Sequence, residues 1–281
     1  KFDSDDSSEA YHKLVDKLLS KKQYGEHMAR YWLDLVRFAD TNGMHKDYYR
    51  NSTAYRDWVI RAYNENLKYD EFVRYQLAGD LFPDASSDQL IASGFNRLHL
   101  IIDVGTALPE ESFFKNVTDR VTAVGTAFMG MTVQCAACHD HKYDPITQKD
   151  YYSLFAFFNN IDAKPETERG LKNGLQPPIA SIPSEEQKKS LDELLAKISA
   201  TESQINNENN SEDKLLELNE KLKSHKSERD QLKQQIPVAM VMKERKEVRE
   251  TRIRKRGQYD DPGYVVQRNT PEFLNPMKRS G

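Results

Sequence analysis

Both cysteines of this 281-residue chain fall within five consecutive residues, Cys135-Ala136-Ala137-Cys138-His139. C-x-x-C-H is the spacing at which c-type haem is attached. Two thiols on one turn of backbone can add across the two vinyl groups of a porphyrin while the adjacent imidazole turns onto the iron. The porphyrin is rigid, so the spacing is strict. The motif therefore predicts one covalent haem c, with Cys135 and Cys138 as thioether donors and His139 as the proximal ligand of the iron.

Three other chemistries use the same residue types. A redox dithiol normally opens a helix in a βαβ unit, and no such pattern surrounds residue 135. A zinc site could recruit His141 to make a Cys, Cys, His, His set, but zinc ligands usually come from two separated knuckles, and no second cysteine pair exists. A disulfide or free thiols complete the alternatives.

Composition narrows the class of partner. With 41 Lys+Arg against 44 Asp+Glu, the net charge is −3. That balance points neither to nucleic acid nor to a strongly anionic membrane surface. Mean hydropathy is low at −0.80, while 14 Tyr and 12 Phe leave material for a core. No apolar run approaches the 18 residues of a transmembrane helix, and Lys1 to Asp6 form no apolar signal segment. Haem attachment takes place outside the cytoplasmic membrane in bacteria. The motif thus predicts a periplasmic or extracellular chain whose export signal has been removed or lies upstream.

Apolar periodicity predicts a mainly α fold. Helical stripes cover residues 9–40 (Leu14, Leu18, Leu19; then Met28, Trp32, Leu35, Val36), with Gly25 as an expected turn and Asp40-Thr41-Asn42-Gly43 as the stop. Asp40 to Asp47 slightly resembles a calcium loop but lacks the bidentate glutamate. Further helices are expected at 53–64, 69–81, 86–98, 110–131 and across Tyr151–Phe158. A proline- and glycine-marked connector, 163–183, follows. Two charged helices, 184–205 and 211–236, joined through Asn206–Asn210, read as an antiparallel hairpin of coiled-coil type. It could serve as a solvated spacer or as a partner-binding arm. Val238–Met242 suggests a strand, and 243–256 a basic extended segment without the stacking aromatics of a nucleic-acid surface. The expected organisation is a helical haem domain (9–162), the connector, the hairpin (184–236) and an extended C-terminal segment (237–281) that packs back or leads to a downstream domain.

Several segments together resemble the planctomycete-type cytochrome c domain family. They include Tyr24-Gly25-Glu26, Arg30 to Leu35, Phe38-Ala39-Asp40, Tyr55 to Ile60, Phe72-Val73-Arg74, Gln76 to Leu81, Asp119-Arg120-Val121, Cys135 to Ile146, Arg249-Glu250-Thr251 and Arg256 to Gly263. The likeness spans roughly 10–160 and 236–265 and extends the motif to C-x-x-C-H-x-H-K-x-D-P. It implies an exported multidomain protein, often encoded near sulfatases and glycan-degrading enzymes, with a further domain after the Pro-Gly segment. A chain ending at Gly281 is then expected to be a fragment, a processed product or a short member.

Around the iron, the second ring nitrogen of His139 should donate to a carbonyl or carboxylate. His141, His45, His99, His27, Met129 and Met131 are the candidates for the sixth position. His141 has difficulty crossing to the far face of the same ring; a second ligand role, a haem edge or another metal are its alternatives. Lys142 and Arg120 are candidate propionate contacts. Three functions follow: electron transfer to a redox partner or neighbouring domain, a peroxidase-like or glycan-linked haem enzyme, and a scaffold module in which haem staples the fold.

Overall fold

The computed structural model describes residues 7–168, 170–171, 174–206 and 211–277. It is mainly helical and divides into two compact units. One takes the described residues of 1–179 and 239–281; the other is Ala180–Val238.

In the first unit, α1 (Ala10–Leu19) and α2 (Lys22–Leu35) are separated at Ser20-Lys21. Gly25, expected at a turn, instead lies inside α2 and is buried. A Cβ there would sit 2.4 Å from the Ile60 carbonyl oxygen, and the Gly25 N–H donates to Asn64 Oδ1 at 2.8 Å. It is a crossing point with α3 (Thr53–Asn64), where only a bare backbone fits. Gly25, Ala29 and Trp32 form the buried stripe of α2; Tyr55, Trp58, Val59 and Ala62 form that of α3. Trp32 Nε1 donates to Tyr55 Oη at 3.1 Å and to Gln76 Oε1 at 3.2 Å, so the buried indole is satisfied. Helix α2 ends at Leu35, and Arg37 takes a left-handed φ of 62°. Asp40–Gly43 is therefore not the helix stop. It is one arm of a loop in which Thr41 bridges Tyr49.

Helix α4 (Tyr69–Ala78) passes into a 3₁₀ turn (Gly79–Leu81), and α5 (Ser87–Ala92) into another (Ser93–Arg97). Helix α6 (Pro109–Val124) buries Val117, Val121 and Val124, and α7 (Gln148–Phe158) buries most of its length. The short strands β1 (Ile179–Ser181) and β2 (Val238–Met240) pair with each other. Strands β3 (Thr251–Arg254) and β4 (Pro262–Val266) pair antiparallel, Thr251 opposite Val266, with an irregularity between Arg252 and Arg254.

The second unit is the hairpin of α8 (Glu185–Ile205) and α9 (Glu212–Gln235). Ser184 caps α8 in a reciprocal capping box with Gln187. Ile198, Thr201 and Leu218 are buried between the helices, and Lys226 reaches Glu202 at 2.9 Å. The remaining stripe leucines, Leu191, Leu194, Leu215, Leu222 and Leu232, are half-buried. Of the expected asparagine-rich turn, residues 207–210 lie outside the described residues.

Candidate functional site

The motif sits between α6 and α7. After Val124 the backbone widens into a π turn, Gly125–Met129, and stops at Gly130 with a left-handed φ of 63°. A 3₁₀ turn, Val133–Ala137, follows, and the Cys138 N–H donates to the Cys135 carbonyl at 3.3 Å. This tight turn sorts its side chains. Val133, Ala136 and Ala137 are buried, while Cys135, Cys138 and His139 face solvent, both cysteines as free thiols.

Helix α7 holds the turn from below. Tyr152 Oη donates to the Ala137 carbonyl at 3.0 Å, and Gln148 Nε2 donates to the same oxygen at 3.0 Å and to the Arg254 carbonyl at 3.1 Å. The Gln148 N–H donates to Asp140 Oδ1 at 2.7 Å. The His141 N–H closes the loop on the Ile146 carbonyl at 2.8 Å, and the Ile146 side chain is buried. Thr147 and Asp150 form the capping box that starts α7.

The two histidines of the loop hold their protons on opposite nitrogens. His139 Nδ1 lies 2.7 Å from the Asp140 carbonyl oxygen. A carbonyl only accepts, so Nδ1 carries the proton and Nε2 keeps its lone pair. His141 Nδ1 instead accepts the Asp144 N–H at 2.8 Å, which puts the proton on Nε2. Its side chain is buried, whereas that of His139 is exposed. The tautomer set by these contacts leaves Nε2 of His139 for a metal and covers both ring nitrogens of His141, one with a bond and one with a proton.

Cys138 is flanked by the C-terminal segment. After β3 the chain turns through Lys255–Gly257, where Gly257 has φ 71°, and a Cβ on it would lie 2.6 Å from Cys138 Sγ. Both the left-handed backbone and the sulfur exclude a larger residue. The donor set fits covalent haem c: two outward thiols on one turn, and a histidine whose free nitrogen is fixed by a backbone acceptor. Among the described residues, no three His, Cys, Asp or Glu side chains gather around a point.

The other candidates are dispersed. Lys142 Nζ lies 5.1 Å from the centroid of the exposed Tyr143 ring. Arg120 points into the core, donating to the Asn96 carbonyl at 2.7 Å and meeting His99 Nε2 at 2.7 Å. His45 Nδ1 pairs with Asp103 Oδ2 at 2.6 Å, and His27 packs edge-on against Tyr31. Met129 ends the π turn, and Met131 follows it, half-buried. Among the described residues, none of the sixth-ligand candidates makes a hydrogen bond, ion pair or ring contact with Cys135, Cys138 or His139. Arg56 and Asp57 pair with each other on the surface, and Asp119 pairs with Arg37.

Sequence reasoning missed Gln148, the residue that ties the motif to β3. Its only sequence signal is position: it is the first residue of α7, a turn beyond the motif. A separate groove of about 620 Å³ lies along α6, α7 and β3, with Phe113, Phe114, Phe155 and Tyr259 in its lining. The Arg249 guanidinium stacks 4.0 Å over Phe113 at its rim.

Fold and site together define a class: a mainly helical protein presenting a Cys-Cys-His turn at its surface. Residues 1–163 match the PSCyt2 family, described as a protein of unknown function (DUF1549). The match covers more than half of the chain and includes the motif, and the chain belongs to this family. No curated protein matches. No solved structure matches.

Proposed function

We propose that the chain is an exported mono-haem c-type cytochrome domain, of the planctomycete cytochrome type its segments resemble, passing electrons to a partner protein or neighbouring domain. The observation that carries this reading is the outward pair of thiols beside a histidine whose Nδ1 is engaged by the Asp140 carbonyl. Cys135 and Cys138 would hold the haem, and His139 Nε2 would bind its iron. Once bound, haem supplies a one-electron redox centre.

The chain's own residues set the conditions for it. The Asp140 carbonyl orients the imidazole of His139 and makes Nε2 the basic nitrogen. Gln148 and Tyr152 hold the Ala137 carbonyl, so the turn between the two thiols keeps its shape. A redox site exposed at the surface suits transfer to another protein, and covalent haem attachment implies a periplasmic or extracellular location.

The test is expression with an export signal and the c-haem maturation proteins. The expected product carries one haem that survives denaturation, with sharp low-spin α and β bands on reduction. A chain free of covalent haem, beside a loaded control cytochrome, overturns the reading. A five-coordinate high-spin spectrum overturns the electron-carrier part of it.

One observation favours a second reading, a haem enzyme of peroxidase-like or glycan-linked type. His99 Nε2 is taken by Arg120 and His141 Nδ1 by the Asp144 N–H, so neither of these two histidines holds a free lone pair for the sixth position. Peroxide-dependent oxidation of a dye, abolished in His139→Ala, would support that alternative; a loaded protein inert to peroxide would remove it.

A further inference from the structure

Three arginines and a histidine meet in the interior of the first unit. Arg50 and Arg97 are 0% exposed, His99 2% and Arg120 3%. Arg50 Nη1 donates to the His99 carbonyl at 2.9 Å and approaches the Arg97 carbonyl at 3.5 Å. Arg120 Nη2 donates to His99 Nε2 at 2.7 Å, which puts the histidine's own proton on Nδ1. Arg97 Nη1 and Nη2 are wrapped by the carbonyls of Gln176, Pro177, Pro178 and Val241. No carboxylate forms an ion pair with any of these arginines among the described residues. The acidic groups whose charges act on Arg50, Asp40, Asp47 and Asp119, do so from a distance, and Asp47 and Asp119 are bonded to Gly43 and Arg37.

The cluster carries buried donors without acceptors. They are Arg50 Nε and Nη2, Arg97 Nε, Arg120 Nη1 and Asn42 Nδ2, whereas the His99 ring N–H turns to its own carbonyl. Asn42 and Arg50 have the same parity about the Thr41–Tyr49 bridge, so both project to one side of that ladder. Arg50 Nε and Nη2 form one edge of its guanidinium, the fork that ordinarily grips an anion. The unpaired buried acceptors on the neighbouring stretches of chain, Asn42 Oδ1, Ser52 Oγ, Asn96 Oδ1, Asp103 Oδ1 and Thr118 Oγ1, make no hydrogen bond to these donors. Burial lowers Arg97 to about 9 and Arg50 and Arg120 to about 10, so all three stay charged at neutral pH. Water would satisfy some of the donors, but it brings hydrogens of its own and cancels no charge. An anion only accepts, and it offsets part of the buried positive charge.

We propose that Arg50, Arg120 and Asn42 form a buried binding site for a small monovalent inorganic anion of the chloride type, with His99 holding the Arg120 guanidinium in place. The site is independent of haem. It binds the folded chain and not the unfolded one, so anion concentration is linked to stability.

The test uses the full chain at constant ionic strength, exchanging sodium bromide for the sodium salt of an organic anion too large to be buried. Tm is expected to rise by about 5–10 °C once bromide exceeds its Kd a hundredfold. Equal Tm values in the two salts overturn the proposal. Crystals grown in bromide give a readout that needs no variant. An anomalous peak within hydrogen-bond distance of Arg50 Nε or Nη2 supports the site; bromide at surface positions only, with water beside Arg50, overturns it. In Asn42→Ala, which leaves the three charges in place, the bromide-dependent rise should shrink at least twofold, and an unchanged rise removes Asn42 from the site.

Discussion

The motif turn and the arginine cluster are built in opposite ways. In the turn, small apolar residues point inward and the reactive groups of Cys135, Cys138 and His139 face water. Its order comes from backbone carbonyls gripped by Gln148 and Tyr152. In the cluster, long cationic side chains are buried, and the carbonyls they grip belong to distant parts of the chain. Exposed reactive groups can be removed with little effect on the fold; buried charges cannot. The difference separates residues kept for chemistry from residues on which folding depends.

Arg97→Ala should have the largest effect, about 3–5 kcal/mol of lost stability in denaturant titration, because four carbonyls lose their donor. A loss below about 1 kcal/mol would erase the contrast. Gly257→Ala comes next, about 2 kcal/mol, from the left-handed φ of 71° and the Cys138 sulfur 2.6 Å from the new methyl. This variant couples the C-terminal segment to the motif, so its loss should fall when Cys138 is also made alanine. His141→Ala should remove about 1 kcal/mol by freeing the Asp144 N–H. Smallest is Cys135→Ser, within about 0.5 kcal/mol for the haem-free chain, since an exposed thiol holds nothing in place. Under the haem reading proposed above, that variant should nevertheless lose covalent attachment through residue 135. If it unfolded the haem-free chain instead, the two regions would not differ as described.

Proton linkage gives a graded test of the buried side. His99 titrates well below its usual value of 6.5, first through burial and then through the charges of Arg120, Arg97 and Arg50. The folded chain therefore binds this proton less readily than the unfolded chain. Stability is full above about pH 6.5 and falls as pH drops below it, by at most about 1.4 kcal/mol per pH unit for one group. His99→Gln keeps an acceptor for Arg120 and removes the titration. Its stability should fall less steeply than that of the parent between pH 7 and pH 5, and equal slopes would show that His99 is not the group responsible.

What the sequence discloses depends on whether the relevant partners are close along the chain. Tyr55, Trp58, Val59 and Ala62 repeat at helical spacing, and all four are buried in α3 as that spacing predicts. The Cys-x-x-Cys-His motif is contiguous, so its composition and spacing can be read directly. Gly25 misled because a glycine at a helix crossing and a glycine at a turn look alike until the partner backbone is known, here the Ile60 carbonyl. Asp40–Gly43 has the composition of a helix stop, yet α2 had already ended at Leu35, before the left-handed Arg37. Arg50, Arg97 and Arg120 carry residue types that usually mark a surface. Their burial rests on carbonyls contributed by residues as far apart as Asn96 and Val241, a pairing no local pattern encodes.

The contact of Gly257 with Cys138 has a consequence in time. A ribosome, or a secretion channel passing the chain amino end first, releases Cys138 well before Gly257 can fold against it. During that interval the Gly257 backbone does not yet flank Cys138. Once the tail docks, Cys138 is screened on one flank by the Gly257 backbone. The two sulfurs should therefore react with an alkylating reagent at similar rates in the nascent chain and at unequal rates in the finished one, with Cys138 the slower.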